Sequence, residues 1–166
     1  MPKNIVPKIK TGFFHGCLTI PNKHTGFTFN LYCGSYHDRP ENMLGIKLAP
    51  EIVRYCVYEL PIPDFSVPTT NEVLRLIDWI SNTTTENYEL YLGCYGGYGR
   101  TGLIAACILV ALTGIDAPDA IRDVRSKVHH NCIETPVQEL FVQHFASLLK
   151  SATLEEAIAL AKNEDL

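Results

Sequence analysis

Tyr88–Gly114 reads YELYLGCYGGYGRTGLIAACILVALTG, and the rest of the 166-residue chain is read outward from it. Tyr88, Leu90 and Leu92 form an apolar alternation that reads as a short strand. The glycine-dense turn Cys94–Thr101, CYGGYGRT, follows, and then an apolar run long enough for a buried helix. Gly96, Gly97 and Gly99 allow positive φ and inward-facing N–H groups, which together form a concave anion cradle with Tyr95 and Tyr98. The following helix adds the unpaired N–H groups of its first turn and the positive end of its dipole. Cys94 at the mouth of this loop is expected to be stabilised as the thiolate. Arg100, separated from Cys94 by five residues, supplies a planar cation that binds two phosphate oxygens at once. Thr101 places a hydroxyl where it donates to the sulfur. Nucleophile, amide nest and guanidinium in one loop make a phosphate-monoester site that requires neither metal nor cofactor.

The competing account is a strand–turn–helix in which Cys94 is a small buried residue, as free cysteines usually are. The glycines and Thr101 in the gaps, with a strand before and a helix after, favour the phosphate loop. No Gly-Lys-Ser/Thr is present, which excludes a Walker loop.

Length bounds the fold to one domain spanning 1–166 with room for a substantial core, residues 34–50 and an appended helix at 153–166 being its least defined parts. A hydrophobic content of 46% with 19% charged residues is that of a globular protein, and the net charge of −4 gives no support for general nucleic-acid binding. Met1–Gly12 carries lysines but no continuous apolar core, so it does not read as a secretory signal. Leu103–Leu112 is about half of what spans a bilayer. A cytoplasmic protein without membrane insertion is expected. The six cysteines show no disulfide-framework spacing and are expected to be reduced, with Cys56 and Cys107 inert in apolar segments.

Along the chain, Phe13–Ile20 and Gly26–Cys33 read as an antiparallel pair joined by a turn at Pro21–Thr25. Gly34–Pro50 reads as a solvated irregular loop whose His37, Asp38, Arg39 and Glu41 match no metal spacing. Arg54–Leu60 reads as a strand. Pro61–Pro68 holds three prolines and one acid, Asp64, and is a stiff loop. Thr69 and Glu72 form a capping box opening a helix over Asn71–Ser81, with Val73, Leu76, Ile77 and Ile80 on its apolar stripe.

Asp116 caps a helix with Pro118 in its first turn, running to about Lys127. Arg122 and Arg125 on that helix read as a solvated or acid-paired face, with substrate-anion binding the alternative. The run His129-His130-Asn131-Cys132 lacks zinc spacing and is not read as a metal site. Thr135 and Gln138 form a second capping box for a helix from Pro136 to Lys150 that buries Leu140, Phe141, Phe145 and Leu148. Thr153 and Glu156 open a last helix, Leu154–Lys162, with Leu154, Ile158 and Leu160 apolar. The order of elements implies an α/β fold with a mixed central sheet flanked by helices, the phosphate loop joining a strand to the central helix.

Cys94–Gly102 resembles the signature of cysteine-dependent protein tyrosine phosphatases, especially the small dual-specificity branch. Pro61–Pro68 resembles the general-acid loop of that branch, with Asp64 at its aspartate and Pro68 at its following proline. Ile133–Gln138 resembles the segment in which the family carries a glutamine that positions hydrolytic water. The resemblance covers roughly Arg54 to Phe145. It implies attack by Cys94, anion stabilisation by the loop and Arg100, proton donation by Asp64, and hydrolysis of a phosphocysteine assisted by Asp64 and Gln138. Thr101 would stabilise the departing thiolate.

One position departs from the family, which usually has histidine directly before the cysteine; here it is Gly93. A phosphorylated protein is the implied substrate. RNA 5′-phosphates, nucleotides and phosphoinositides remain open, as does a non-catalytic phosphate-binding module.

Overall fold

The computed structural model describes residues 14–164. Met1–Gly12, where no secretory signal was read, and Phe13, placed in the first strand, lie outside the described residues.

The sheet is built around β5 (Glu89–Cys94), whose Leu90, Tyr91 and Leu92 are fully buried. Such a continuous apolar run suits a strand covered on both faces rather than a half-solvated one. β5 pairs in parallel with β2 (Thr28–Ser35) on one side and with β3 (Leu44–Lys47) on the other. β1 (Gly16–Pro21) closes one edge antiparallel to β2, as the hairpin pattern requires, and β4 (Tyr58–Glu59) closes the other. The order β1-β2-β5-β3-β4 is the mixed sheet expected.

Two expectations about this sheet fail. Gly34–Pro50 is not a solvated loop: after a 3-10 turn at Tyr36–Asp38 it supplies β3, the strand beside β5. Its charges misled the reading. Arg39 and Lys47 are both buried, with their charges taken up locally. The Arg39 guanidinium donates to the carbonyls of Pro40 and Met43 and lies against Tyr36 and Tyr55. The Lys47 ammonium donates to the carbonyls of Ala49 and Ile52 and pairs with Glu59 at 3.0 Å. With Met43, Ile46, Leu48, Ala49 and Ile52 buried, tertiary packing overrides a composition that favours loop.

The strand read over Arg54–Leu60 contracts to Tyr58–Glu59. An edge strand has one partner, and Val53 and Tyr55 stand exposed ahead of it. Backbone pairing nevertheless continues through Leu60 N–H to Lys47 O and Ile62 N–H to Leu48 O, which pins the entry to the proline-rich loop.

The helices follow their local signals. α1 (Thr70–Thr83) starts at the complete Thr69/Glu72 capping box and buries Val73, Leu76, Ile77 and Ile80. α2 (Gly99–Thr113) is buried from Gly99 to Leu112 and ends at Gly114 in the left-handed conformation. It packs on β1, β2 and β5 and against α1, α3 and α4. α3 (Ala117–Lys127) is capped by Asp116, and α4 (Pro136–Ser151) by the Thr135/Gln138 box. In α4, Phe145 is buried and Phe141 and Leu148 are partly so, but Leu140 faces solvent.

α5 (Leu154–Asn163) packs on α1, with Lys162 Nζ 2.9 Å from Asp78 and a hydrogen bond from Asn71 to Glu164. Its buried line is Leu154, Ala157 and Ala161; Leu160 is exposed. Small residues let α5 lie close to its neighbour, and a reading keyed to large apolar side chains missed them. No helix among the described residues is long and apolar enough to cross a membrane.

Candidate active site

Cys94 ends β5, level with Ser35 of β2, so the loop leaves the sheet at the carboxyl ends of two parallel strands. Its Sγ accepts hydrogen bonds from the Thr101 hydroxyl at 3.0 Å and from Gly97 N–H at 3.2 Å. The same Thr101 oxygen accepts the Cys94 N–H at 2.9 Å, tying the strand end to the first turn of α2. The loop carbonyls point outward to partners: Ser35 Oγ donates to Tyr95 O at 2.5 Å, and Gly102 and Ile133 N–H donate to Tyr98 O. A loop whose carbonyls are held on its outer side presents its N–H groups inward, which is what an anion cradle requires.

Positive φ was expected at three loop glycines, and only Gly97 has it, at 84°. Gly97 is also crowded, since a Cβ there would lie 2.4 Å from Gly34 C and 2.6 Å from Ser35 N. At Gly99 the nearest atom to an added Cβ, 2.3 Å away, is Oε1 at the free end of the exposed Glu134 side chain, which can swing aside.

Arg100 is almost wholly buried. Its guanidinium faces Glu51 in a two-pronged pair, 3.2 and 2.8 Å, and donates to Ile62 O at 2.7 Å. Asp64 Oδ1 lies 3.6 Å from the same guanidinium, so the fold brings the proline-loop acid to the phosphate loop. The Arg100 Nε–H is buried without a hydrogen-bond partner among the described residues. A donor desolvated in this way is costly unless an acceptor reaches it, and an anion in the cradle is such an acceptor.

Glu51 was not singled out in the sequence. It lies between the loop read over Gly34–Pro50 and the strand read over Arg54–Leu60, 49 residues from its partner, and no local pattern marks it. Its hydrogen bond to Arg100 holds the carboxyl below the usual range for glutamate.

Gln138 is buried and completes its capping box. Its Oε1 accepts from Glu134 and Thr135 N–H, and its Nε2 donates to Ser66 O at 3.4 Å, across to the acid loop. Tyr95 and Phe65 are exposed beside Cys94 and Asp64, Phe65 at a positive φ of 59°. Arg122 pairs with Asp119 on the surface. Arg125 binds the carbonyls of Cys132 and Ile133 and the Glu139 carboxylate, so it shapes the loop before α4. His129 and His130 stack ring on ring at 4.4 Å.

Burial pushes Cys17 up to about 11 and Cys132 up to about 12, and it raises Cys33, Cys56 and Cys107 as well. They are held as neutral thiols at pH 7.

The family described as "Polymorphic toxin system, DSP-PTPase phosphatase" matches residues 39–114, which hold Glu51, Asp64, Cys94 and Arg100. An uncharacterised protein of Methanocaldococcus jannaschii is 33% identical over 91 residues, covering 55% of each chain. Protein tyrosine phosphatase domain-containing protein 1 of Danio rerio is 31% identical over 146 residues, 82% of this chain and 19% of the relative. The chain thus spans about half the length, or less, of these curated relatives. The solved structure of Tk-PTP in the active form superposes with a TM-score of 0.61 at 19% identity, over 72% of this chain and 91% of that one. The chain therefore shares its fold with that structure, and residues 39–114, which carry the acid loop and the phosphate loop, are similar to the DSP-PTPase phosphatase family.

Proposed function

We propose that this chain hydrolyses phosphate monoesters of the phosphotyrosine and dual-specificity type through a phosphocysteine intermediate. The observation that carries the reading is the convergence on one loop of a sulfur receiving two hydrogen bonds and a buried guanidinium whose Nε–H lacks a partner among the described residues. The Cys94 thiolate attacks phosphorus, the inward N–H groups and Arg100 stabilise the equatorial oxygens, and the ester oxygen leaves with the proton of Asp64. Water then attacks the phosphocysteine and gives its proton to Asp64. The thiolate is released to the Thr101 hydroxyl and the Gly97 N–H. Gln138 would hold that water through Nε2, because its oxygen is engaged by two backbone donors. Glu51 orients Arg100.

The exposed rings of Phe65 and Tyr95, next to the acid and the nucleophile in the chain, support a substrate with an aromatic group, such as phosphotyrosine in a protein, over a phosphoinositide, with nucleotides and RNA 5′-ends as the alternatives. The six free cysteines support a reducing, cytoplasmic setting, and the domain is read as spanning the whole chain.

The test is turnover of phosphotyrosine, phosphoserine and phosphothreonine peptides, nucleotides, RNA 5′-phosphates and phosphoinositides by the wild type and by Cys94→Ser. The serine variant is expected to bind phosphate and turn nothing over, an alkoxide being far harder to generate than a thiolate. Comparable turnover by the variant would sink the covalent mechanism. Phosphate binding without turnover in the wild type would identify a binding module.

A further inference from the structure

The family's histidine before the cysteine is Gly93 here, and the fold leaves that position no room. A Cβ at Gly93 would lie 2.7 Å from Tyr36 N, 2.8 Å from Gly34 O and 2.9 Å from Tyr36 Cα. An imidazole does reach the loop, but from a distant part of the chain. His15, one residue before β1, places Nε2 2.9 Å from Gly96 O. We propose that His15 is a positioning residue for the nucleophile, holding the Gly96–Gly97 peptide so that its N–H points at Cys94 Sγ. This rests on the phosphatase reading of the loop.

The argument is carried by one peptide unit. A trans peptide has its C=O and N–H on opposite sides. The Gly96 carbonyl points outward to His15, and the Gly97 N–H on the same plane points inward to the sulfur at 3.2 Å. Fixing one end therefore fixes the other. This unit needs an anchor more than its neighbours do, because both residues flanking it are glycines and rotation of the plane meets little resistance. Rotation would turn a carbonyl oxygen toward the thiolate in place of a donor. Tyr95 O and Tyr98 O have partners in Ser35, Gly102 and Ile133, whereas Gly96 O has His15.

The ring is itself held in place. His15 N–H donates to Cys33 O at 2.8 Å, which fixes the backbone to β2. The imidazole stacks on Tyr98 with centroids 4.5 Å apart and planes 12° apart, and His129 leans on both rings. Since a carbonyl only accepts, Nε2 carries a proton in this contact, in the neutral ring or in the imidazolium.

The test compares His15→Ala and His15→Gln with the wild type. A glutamine Nε2 sits about as far from the backbone as that of histidine and donates to a carbonyl without a titrating ring. The first readout is iodoacetamide alkylation of Cys94 as a full pH–rate profile, with the modified residue located by mass spectrometry and the variants compared on its rising limb. There, losing one hydrogen bond to a charged sulfur lowers the thiolate fraction roughly tenfold, and higher intrinsic nucleophilicity offsets part of it.

His15→Ala is therefore expected to alkylate roughly three- to tenfold more slowly, and His15→Gln to recover most of the rate. In p-nitrophenyl phosphate turnover, kcat should follow the alkylation rate while KM moves less. Alkylation of the alanine variant at the wild-type rate would overturn the proposal. So would a slow alanine variant that glutamine fails to restore, since ring packing would then be the cause. If the wild type hydrolyses nothing but the alkylation order holds, the phosphatase reading falls and the positioning role stands.

Discussion

Gly93→Ala adds one methyl group at the end of β5, and its effect can be worked out from the surrounding atoms. In an ordinary strand interior, alanine is more favourable than glycine by about 0.5–1 kcal/mol through chain entropy. Here the added Cβ meets three backbone atoms, Tyr36 N, Gly34 O and Tyr36 Cα, all within 2.9 Å. Backbone cannot step aside as a flexible side chain does. Gly34 is paired with Gly93 in the β2–β5 ladder, and Ser35 between the two clashing residues holds the phosphate loop through Tyr95 O. Overpacking of this kind costs about 1–3 kcal/mol, and an all-backbone contact belongs at the upper end.

The clash outweighs the entropy gain, leaving a net loss of about 2 kcal/mol, or roughly 4–8 °C in Tm for a chain of this size. Urea unfolding should show a lower midpoint at unchanged slope. Gly93→His should fare worse and should not gain activity. A Gly93→Ala variant at least as stable as the wild type, or a stable histidine variant with faster Cys94 alkylation, would refute the reasoning.

Asp64→Asn should lower turnover of phosphopeptides by about 100-fold or more and that of p-nitrophenyl phosphate far less, because a good leaving group needs little protonation; equal losses would make Asp64 structural. Glu51→Gln should weaken phosphate binding by freeing the Arg100 guanidinium from its fixed plane. Because the Arg100 hydrogen bond lowers the Glu51 pKa, the stabilisation is present at neutral pH and lost as pH falls through the folded-state value. The stability gap between wild type and Glu51→Gln should therefore shrink as pH falls below the ordinary glutamate range, and a gap that does not shrink on acidification would contradict the pairing. Gln138→Ala should cost about 0.5–2 kcal/mol as a lost cap. If Gln138 also holds the hydrolytic water, phosphocysteine should accumulate in rapid-quench experiments; without accumulation it is a cap alone.

What the sequence determined by itself was whatever neighbouring residues settle among themselves. The boxes at Thr69/Glu72, Thr135/Gln138 and Thr153/Glu156, the left-handed cap at Gly114 and the Thr101 hydrogen bond to Cys94 are each complete within one turn or loop. Backbone donors there find partners a few positions away, so spacing suffices to read them. β3 was illegible because its composition signals solvent, and burying those charges is made tolerable by the carbonyls gathered around Lys47 and Arg39, by Glu59 beside the Lys47 ammonium and by the tyrosine rings against Arg39.

Glu51 reaches Arg100 from 49 residues away and His15 reaches Gly96 from 81. The crowding that keeps Gly93 a glycine comes from the end of β2 and the 3-10 turn that follows it. Such contacts depend on which strands lie beside β5 and in what register. That is decided by the burial of the whole sheet, to which every residue contributes and which no local spacing records.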